Sequence, residues 1–167
     1  MLETIEKLLV LQERDRQIHR VRLELSRIGP EREMLRAKAA VAQSQLDAAK
    51  NHVKQCESER KRLELDVESK KSQIEKYANQ QLQTRKNEEY RALAHEIELC
   101  KADIARIEDQ EIGLMEQAEG LQREIARLAL ENDEMKKNVG DQIAQLDRQE
   151  DNLSKELAEL QKGRAGL

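Results

Sequence analysis

The feature that most constrains this chain is a seven-residue repeat of apolar positions that runs through its first half. Sixteen of twenty repeat positions between residues 11 and 77 are apolar, counting Cys and Tyr, whereas a chain that is 38% apolar would give about eight by chance. Such a repeat is typical of a coiled-coil seam. The positions are Leu11, Ile18, Leu25, Arg32, Ala39, Leu46, Val53, Arg60, Val67 and Ile74, with Arg14, Val21, Ile28, Leu35, Ala42, Ala49, Cys56, Leu63, Lys70 and Tyr77.

A second seam of similar length starts at Tyr90 and continues to Val139 with the same spacing of three and four residues. Two matched halves predict an all-α fold, a long antiparallel two-helix coiled-coil hairpin. If paired positions sum to 167, every seam layer meets another, for example Val53 opposite Leu114. In this register Lys70 lies near Glu96, which would serve as its counter-ion. The seam leaves open whether the hairpin is a monomer or a dimer.

Gly29-Pro30 is the expected irregularity, because proline disturbs an α-helix and this is the single proline of the chain. We therefore expect a break or bend there, since the predicted register sets Gly29-Pro30 opposite residues 137 and 138, where the second seam also changes its spacing. The predicted elements form one domain, residues 1–167. They are an N-terminal helix 2–28, an ascending helix 31–78, a tip loop 79–88 and a descending helix 89–162.

Composition narrows the function classes. The chain has no Trp or Phe and only two Tyr, so a multilayered globular core is excluded. It shows no glycine-rich phosphate loop, nucleophile motif or metal cluster, and a two-helix hairpin offers no deep pocket, so we expect no enzyme and no cofactor. Cys56 and Cys100 sit alone at seam positions, and we expect two unpaired, buried thiols. No signal or membrane segment is apparent, and a cytoplasmic location is expected.

The segment 79–88 lacks the seam and is therefore the predicted tip. Residues 70–91 carry six Lys or Arg against three Asp or Glu, net +3, whereas residues 107–160 carry six against fifteen, net -9. The tip is basic on an acidic stalk, and it is longer than a helical connection requires. It contains the candidate partner-binding residues, which are Arg85, Lys86, Asn87, Glu89 and Tyr90. The alternative is purely structural, with Asn87 as a helix N-cap and Glu89 in the first helical turn.

The segment around residues 76–116 resembles a bacterial family of coiled-coil hairpin proteins with a C-terminal C4-type zinc ribbon. Six residues of the tip region match the family pattern: Asn87, Glu89, Tyr90, Leu93, Glu96 and Ile97. Thr84, Lys86 and Glu88 depart from it, the last by a reversal of charge. The zinc ribbon, and with it zinc, is missing from these 167 residues. We expect either a truncated piece of a longer member that ends at Leu167 or a member without the ribbon.

The resemblance implies a regulatory adaptor. Some members resemble regulators that bind an alternative sigma factor and flagellar or secretion export components, and the ribbon gives the family its association with nucleic-acid binding. Two alternatives remain open. One is a nucleic-acid-binding protein that acts mainly through the missing ribbon, and the other is a passive spacer or holdase. No membrane partner is expected.

Overall fold

The computed structural model describes residues 1–166 as two long helices joined by a short turn. Helix α1 spans Leu2–Gln83 and helix α2 spans Asn87–Ala165, so only residues 84–86 lie between them. The prediction of an all-α helical hairpin is confirmed. The charges of α2 suit its direction, because Glu88 and Glu89 lie in its first turn and Lys162 and Arg164 in its last.

The chain divides into two compact units. Unit 1 combines Met1–Ser44 with Ala129–Leu167. Its core contains seam residues that are at most 9% exposed, and partly buried leucines pack around them. The core residues are Val21, Ile28, Leu146 and Leu153, and the surrounding leucines are Leu25, Leu35, Leu157 and Leu160.

Arg32 interrupts the seam of unit 1 but is well paired. Its two terminal nitrogens lie 2.6 Å from Asp147 Oδ1 and 2.8 Å from Glu150 Oε2. These bonds, chiefly the one to Glu150, raise the pKa of Arg32 above its ordinary value. The arginine therefore remains charged at its seam position and links the two helices of the unit.

Unit 2 comprises Gln45–Leu128 and includes the turn. Its core is the cluster of Leu63, Val67 and Ile107, with Ile104 and Leu114 packed against it. Lys70 Nζ lies 3.1 Å from Asp103 Oδ2, and this hydrogen bond raises the pKa of Lys70 above its ordinary value.

The predicted register is wrong in unit 2. Lys70 pairs with Asp103 instead of lying near Glu96, and Cys100 Sγ lies 3.8 Å from Gln73 Oε1. A register with paired positions summing to 167 would instead place residues 97 and 94 opposite positions 70 and 73. The difference is close to one seven-residue repeat. A shift of one repeat again sets seam against seam, so apolar pattern alone could not choose between the two registers.

We expect a break or a bend at Gly29-Pro30. The break is absent, because α1 continues through Pro30, and a bend within the continuous helix stays a prediction. Proline removes one backbone hydrogen bond, the one that residue 30 would donate to the carbonyl of Ser26. The flanking seam residue Ile28 is only 2% exposed and packs in the core of unit 1. Helical packing on both sides of Pro30 offsets the lost bond, so separate helices 2–28 and 31–78 do not form.

The tip loop is also shorter than expected. The sequence predicts a loop over residues 79–88, but α1 continues to Gln83 and α2 starts at Asn87. The glutamines in this segment are good helix formers, so the helix outlasts the apolar seam. The end of the seam and the end of the helix are therefore different boundaries in this chain.

Both cysteines are free and buried, as predicted. Cys56 is 4% exposed and Cys100 is 5% exposed.

At the other end of unit 1, Arg164 forms an ion pair with Asp15, which leaves the first residues of α1 without a described partner helix. Four apolar side chains there are more than half exposed, namely Leu2, Ile5, Leu8 and Leu9. Over the described residues, neither helix has a stretch apolar enough to span a membrane.

Candidate partner-binding site at the turn

The turn of unit 2 consists of Thr84, Arg85 and Lys86, and backbone hydrogen bonds hold it on both sides. The Thr84 N–H donates to the Gln80 carbonyl at 3.1 Å. The Tyr90 N–H donates to the Lys86 carbonyl, also at 3.1 Å. The two helices therefore extend to the edges of the turn, and three residues are enough to reverse the chain.

The side chain of Thr84 closes the turn. Its Oγ1 donates to Glu89 Oε2 at 2.7 Å and accepts a longer bond from the Lys86 N–H at 3.4 Å. Lys86 Nζ lies 3.8 Å from Glu89 Oε1. Thr84 thus stabilises the turn by a bond between residues i and i+2, and Asn87, as the first helical residue, does not take the N-cap position that the sequence suggested for it. Sequence reasoning missed this role, although threonine hydroxyls are known to bond the backbone two residues further on in turns.

Asn87 is the first residue of α2, and its side chain makes no hydrogen bond within residues 1–166. Glu89, by contrast, is committed to the turn through Thr84 and Lys86. Of the five predicted binding residues, Glu89 therefore contributes most to the structure of the turn, because it bonds both Thr84 and Lys86.

The structure brings all five predicted residues to one end of unit 2, and all five are exposed. The Lys86 side chain is 79% exposed and Tyr90 is 50% exposed. Arg85 has no ion-pair partner in the described chain. Two cations and an aromatic ring therefore face solvent together.

Leu82 is an exposed apolar side chain beside the turn, and sequence reasoning missed it as a candidate binding residue. It is 86% exposed and lies on the last turn of α1. The signal was a leucine isolated among Asn and Gln residues, outside the seam positions. Nearby, Gln81 Nε2 donates to the Tyr90 carbonyl at 3.2 Å and ties the two helices together beside it. We call Leu82, Arg85, Lys86 and Tyr90 the turn surface.

The turn surface is suited to binding an acidic partner that offers an apolar contact, because it combines unpaired charge with exposed apolar area. Among residues 1–166, no group of three or more His, Cys, Asp or Glu side chains is arranged to hold a metal ion.

Comparison with known proteins gives one family. The sequence model of the CT398-like coiled coil hairpin domain matches residues 11–167 of this chain. Neither a curated protein nor a solved structure gives a significant match.

Proposed function

We propose that this protein, which belongs to the CT398-like coiled coil hairpin domain family, is a non-enzymatic adaptor that binds protein partners through its turn surface. It would act in the bacterial cytoplasm. By the resemblance described above, an alternative sigma factor or a flagellar or secretion export component is the class of partner to test first.

The proposal rests on one observation: some residues of the turn stabilise its structure, and others are exposed and unpaired. Thr84 and Glu89 hold the chain reversal, while Arg85 makes no ion pair and Leu82 is 86% exposed. An exposed leucine and an unpaired arginine on an ordered turn contribute little to folding. They are available for binding at a small cost in conformational entropy, because the backbone beneath them is already fixed.

The charge distribution indicates which partners fit. The net charge of +3 over residues 70–91 favours an acidic protein surface. A surplus of three charges is small for a nucleic-acid site, which depends on neutralising many phosphates. Binding through the turn surface should therefore be moderately sensitive to salt.

The decisive variant is Arg85→Glu combined with Lys86→Glu. The change replaces two exposed cations with two carboxylates and leaves the Thr84–Glu89 bond in place. Loss of the exposed Lys86–Glu89 pair and the like-charge repulsion of Glu89 that replaces it should each cost only about 0.3–0.5 kcal/mol. Partners captured by the wild type and by the variant would be identified by mass spectrometry, and helicity and melting temperature would be recorded for both.

The matched control is Lys50→Glu with Lys54→Glu, which makes the same change of charge on exposed positions of unit 2 away from the turn. We expect the turn variant to lose specific protein partners and the control to keep them. A turn variant with native melting that captures every wild-type partner would show that the turn only reverses the chain. Capture dominated by nucleic acid, with steep salt dependence, would favour the alternative function.

A further inference from the structure

Unit 2 has an open groove between its two helices, away from the turn, with a volume of about 510 Å³. Its rim carries four carboxylates and one cation, with Glu64, Glu68 and Lys71 on α1 and Glu108 and Glu111 on α2. Ile112 and Met115 line it and are 53% and 44% exposed. We call this surface the acidic groove.

The four carboxylates of the acidic groove form no ion pair within the described part of the chain. Neighbouring carboxylates on other faces do, as Asp103 does with Lys70 and Arg106. Four acids against Lys71 leave the rim with a net charge of -3, and an exposed apolar surface in such a rim is complementary to one that presents an apolar side chain among unpaired cations.

The turn has that complementary surface on the same face of the unit. Leu82 lies fourteen residues after Glu68 on α1, and Arg91 lies twenty-one residues before Ile112 on α2. These separations are two and three whole repeats, so each pair shares one side of its helix. Arg91 and Arg85 are exposed and have no ion-pair partner among residues 1–166.

We propose that this face binds a second copy of the chain in antiparallel orientation, with Leu82, Arg85 and Arg91 of each copy seated on the acidic groove of the other. The turn and the centre of the groove are separated by about 20 residues of α1, or about 30 Å. If one copy is inverted and displaced by that distance, both contacts form at once. The dimer is closed by a twofold axis near Glu75, where Lys71 lies one helical turn from each of the two facing carboxylates and offsets their repulsion, and the association does not continue into fibres.

This dimer does not depend on the proposed adaptor function, but it uses part of the same turn surface. Partner binding and self-association are therefore mutually exclusive at the turn. A dimer would hold the protein with its turn covered, and an acidic partner would compete with the acidic groove of the second copy.

The test is a charge exchange measured by analytical ultracentrifugation over a concentration series. The turn variant is Arg85→Glu with Arg91→Glu, and the groove variant is Glu64→Lys with Glu68→Lys. The turn variant places acids against the acidic groove, and the groove variant places two lysines beside Lys71 on the α1 side of the groove, so each alone should weaken self-association by about tenfold or more. Mixed together, the two variants have opposite charges at both contacts and should form a heterodimer.

Two controls separate this interface from others. Asp66→Lys with Asp109→Lys makes the same change of charge at the same height of unit 2 but outside the acidic groove, and should leave the dimer intact. Ile5→Glu with Leu9→Glu tests the exposed apolar residues at the start of α1. If circular dichroism shows that the groove variant does not fold, Glu64→Gln with Glu68→Gln is used instead. It removes the two negative charges without adding positive ones and should still weaken the dimer.

Spin labels at residue 75, with Cys56 and Cys100 replaced by alanine, add a geometric readout. Labels at residue 75 of the two copies should be close, whereas labels at residue 61 should be separated along the helix direction by about 42 Å. A wild type that stays monomeric at every concentration would overturn the proposal, as would a dimer lost only in the Ile5 and Leu9 variant. The groove variant should still capture the protein partners of the adaptor, so failure of one proposal is distinct from failure of the other.

Discussion

At the scale of single residues, Asn132 shows what a polar side chain costs inside the seam. It is 3% exposed, its Nδ2 donates to Gln43 Oε1 at 3.0 Å, and its Oδ1 has no hydrogen-bond partner. An unsatisfied buried oxygen costs about 1–3 kcal/mol. Polar residues at such positions are known to select one register over others, at a cost in stability.

Asn132→Leu should therefore raise the free energy of unfolding by about 1–2 kcal/mol, because it removes the unsatisfied oxygen and buries apolar surface. Chemical denaturation followed by circular dichroism measures the change. The control Asn132→Ala removes the same oxygen but leaves a cavity, so its gain should be smaller or absent. A lower stability of the leucine variant would mean that the bond to Gln43 outweighs the unsatisfied atom.

At the scale of elements, α1 shows where sequence reasoning succeeds and where it fails. The seam identifies the buried side of the helix, and Val21, Ile28, Leu63 and Val67 are all buried as it predicts. It does not locate the helix ends, because residues 79–83 keep helical backbone beyond the last seam position, Tyr77. Helix length depends on propensity as well as on burial, and the glutamines supply that propensity.

Substitution of Pro30 tests whether packing of α1 offsets the cost of a proline inside the helix. A proline inside a helix costs up to about 3 kcal/mol relative to alanine, and α1 bears this cost without interruption. Pro30→Ala should restore the hydrogen bond to the Ser26 carbonyl and increase the free energy of unfolding by about 1–3 kcal/mol. The neighbouring exposed substitution Glu31→Ala should change it by no more than about 0.5 kcal/mol. If the Pro30→Ala variant is no more stable than the wild type, the Ser26 carbonyl already has another hydrogen-bond partner.

The candidate site follows the same pattern. The five predicted residues do lie together at the turn and are exposed, because the reversal of the chain places them there. The sequence could not show that Thr84 would hold Glu89, since that contact depends on the length of the turn. Nor could it show that Leu82 would be exposed, because the predicted loop left the direction of its side chain undefined.

At the scale of the whole molecule, the register of the two helices is the property that the repeat leaves open. Registers that differ by seven residues bury nearly the same seam, so a few specific contacts and the length of the turn decide between them. In unit 2 these contacts are Lys70 with Asp103 and Gln73 with Cys100.

A crosslinking experiment tests this register directly. In a chain with Cys56→Ala, Gln73→Cys should link to the native Cys100 on mild oxidation or with a short bis-maleimide, since the two side chains are in contact. Val67→Cys provides the comparison, because position 67 faces Cys100 only in the register summing to 167. Preferential linking through position 67 would contradict the structure of unit 2. Mass spectrometry of the digested monomer identifies the linked peptides.

The three-residue turn also determines which contacts between α1 and α2 have the lowest entropic cost, and therefore the order in which they are expected to form during folding. The Cys100–Gln73 contact closes a loop of 27 residues, whereas the Arg164–Asp15 contact closes one of 149. Loop-closure entropy rises with the logarithm of length, so the longer closure costs about 1.5 kcal/mol more when made from the unfolded chain. Once the shorter loops near the turn are closed, each later contact adds only a small increment. The route with the lowest loop-closure cost therefore forms the contacts between α1 and α2 in order from the turn outward.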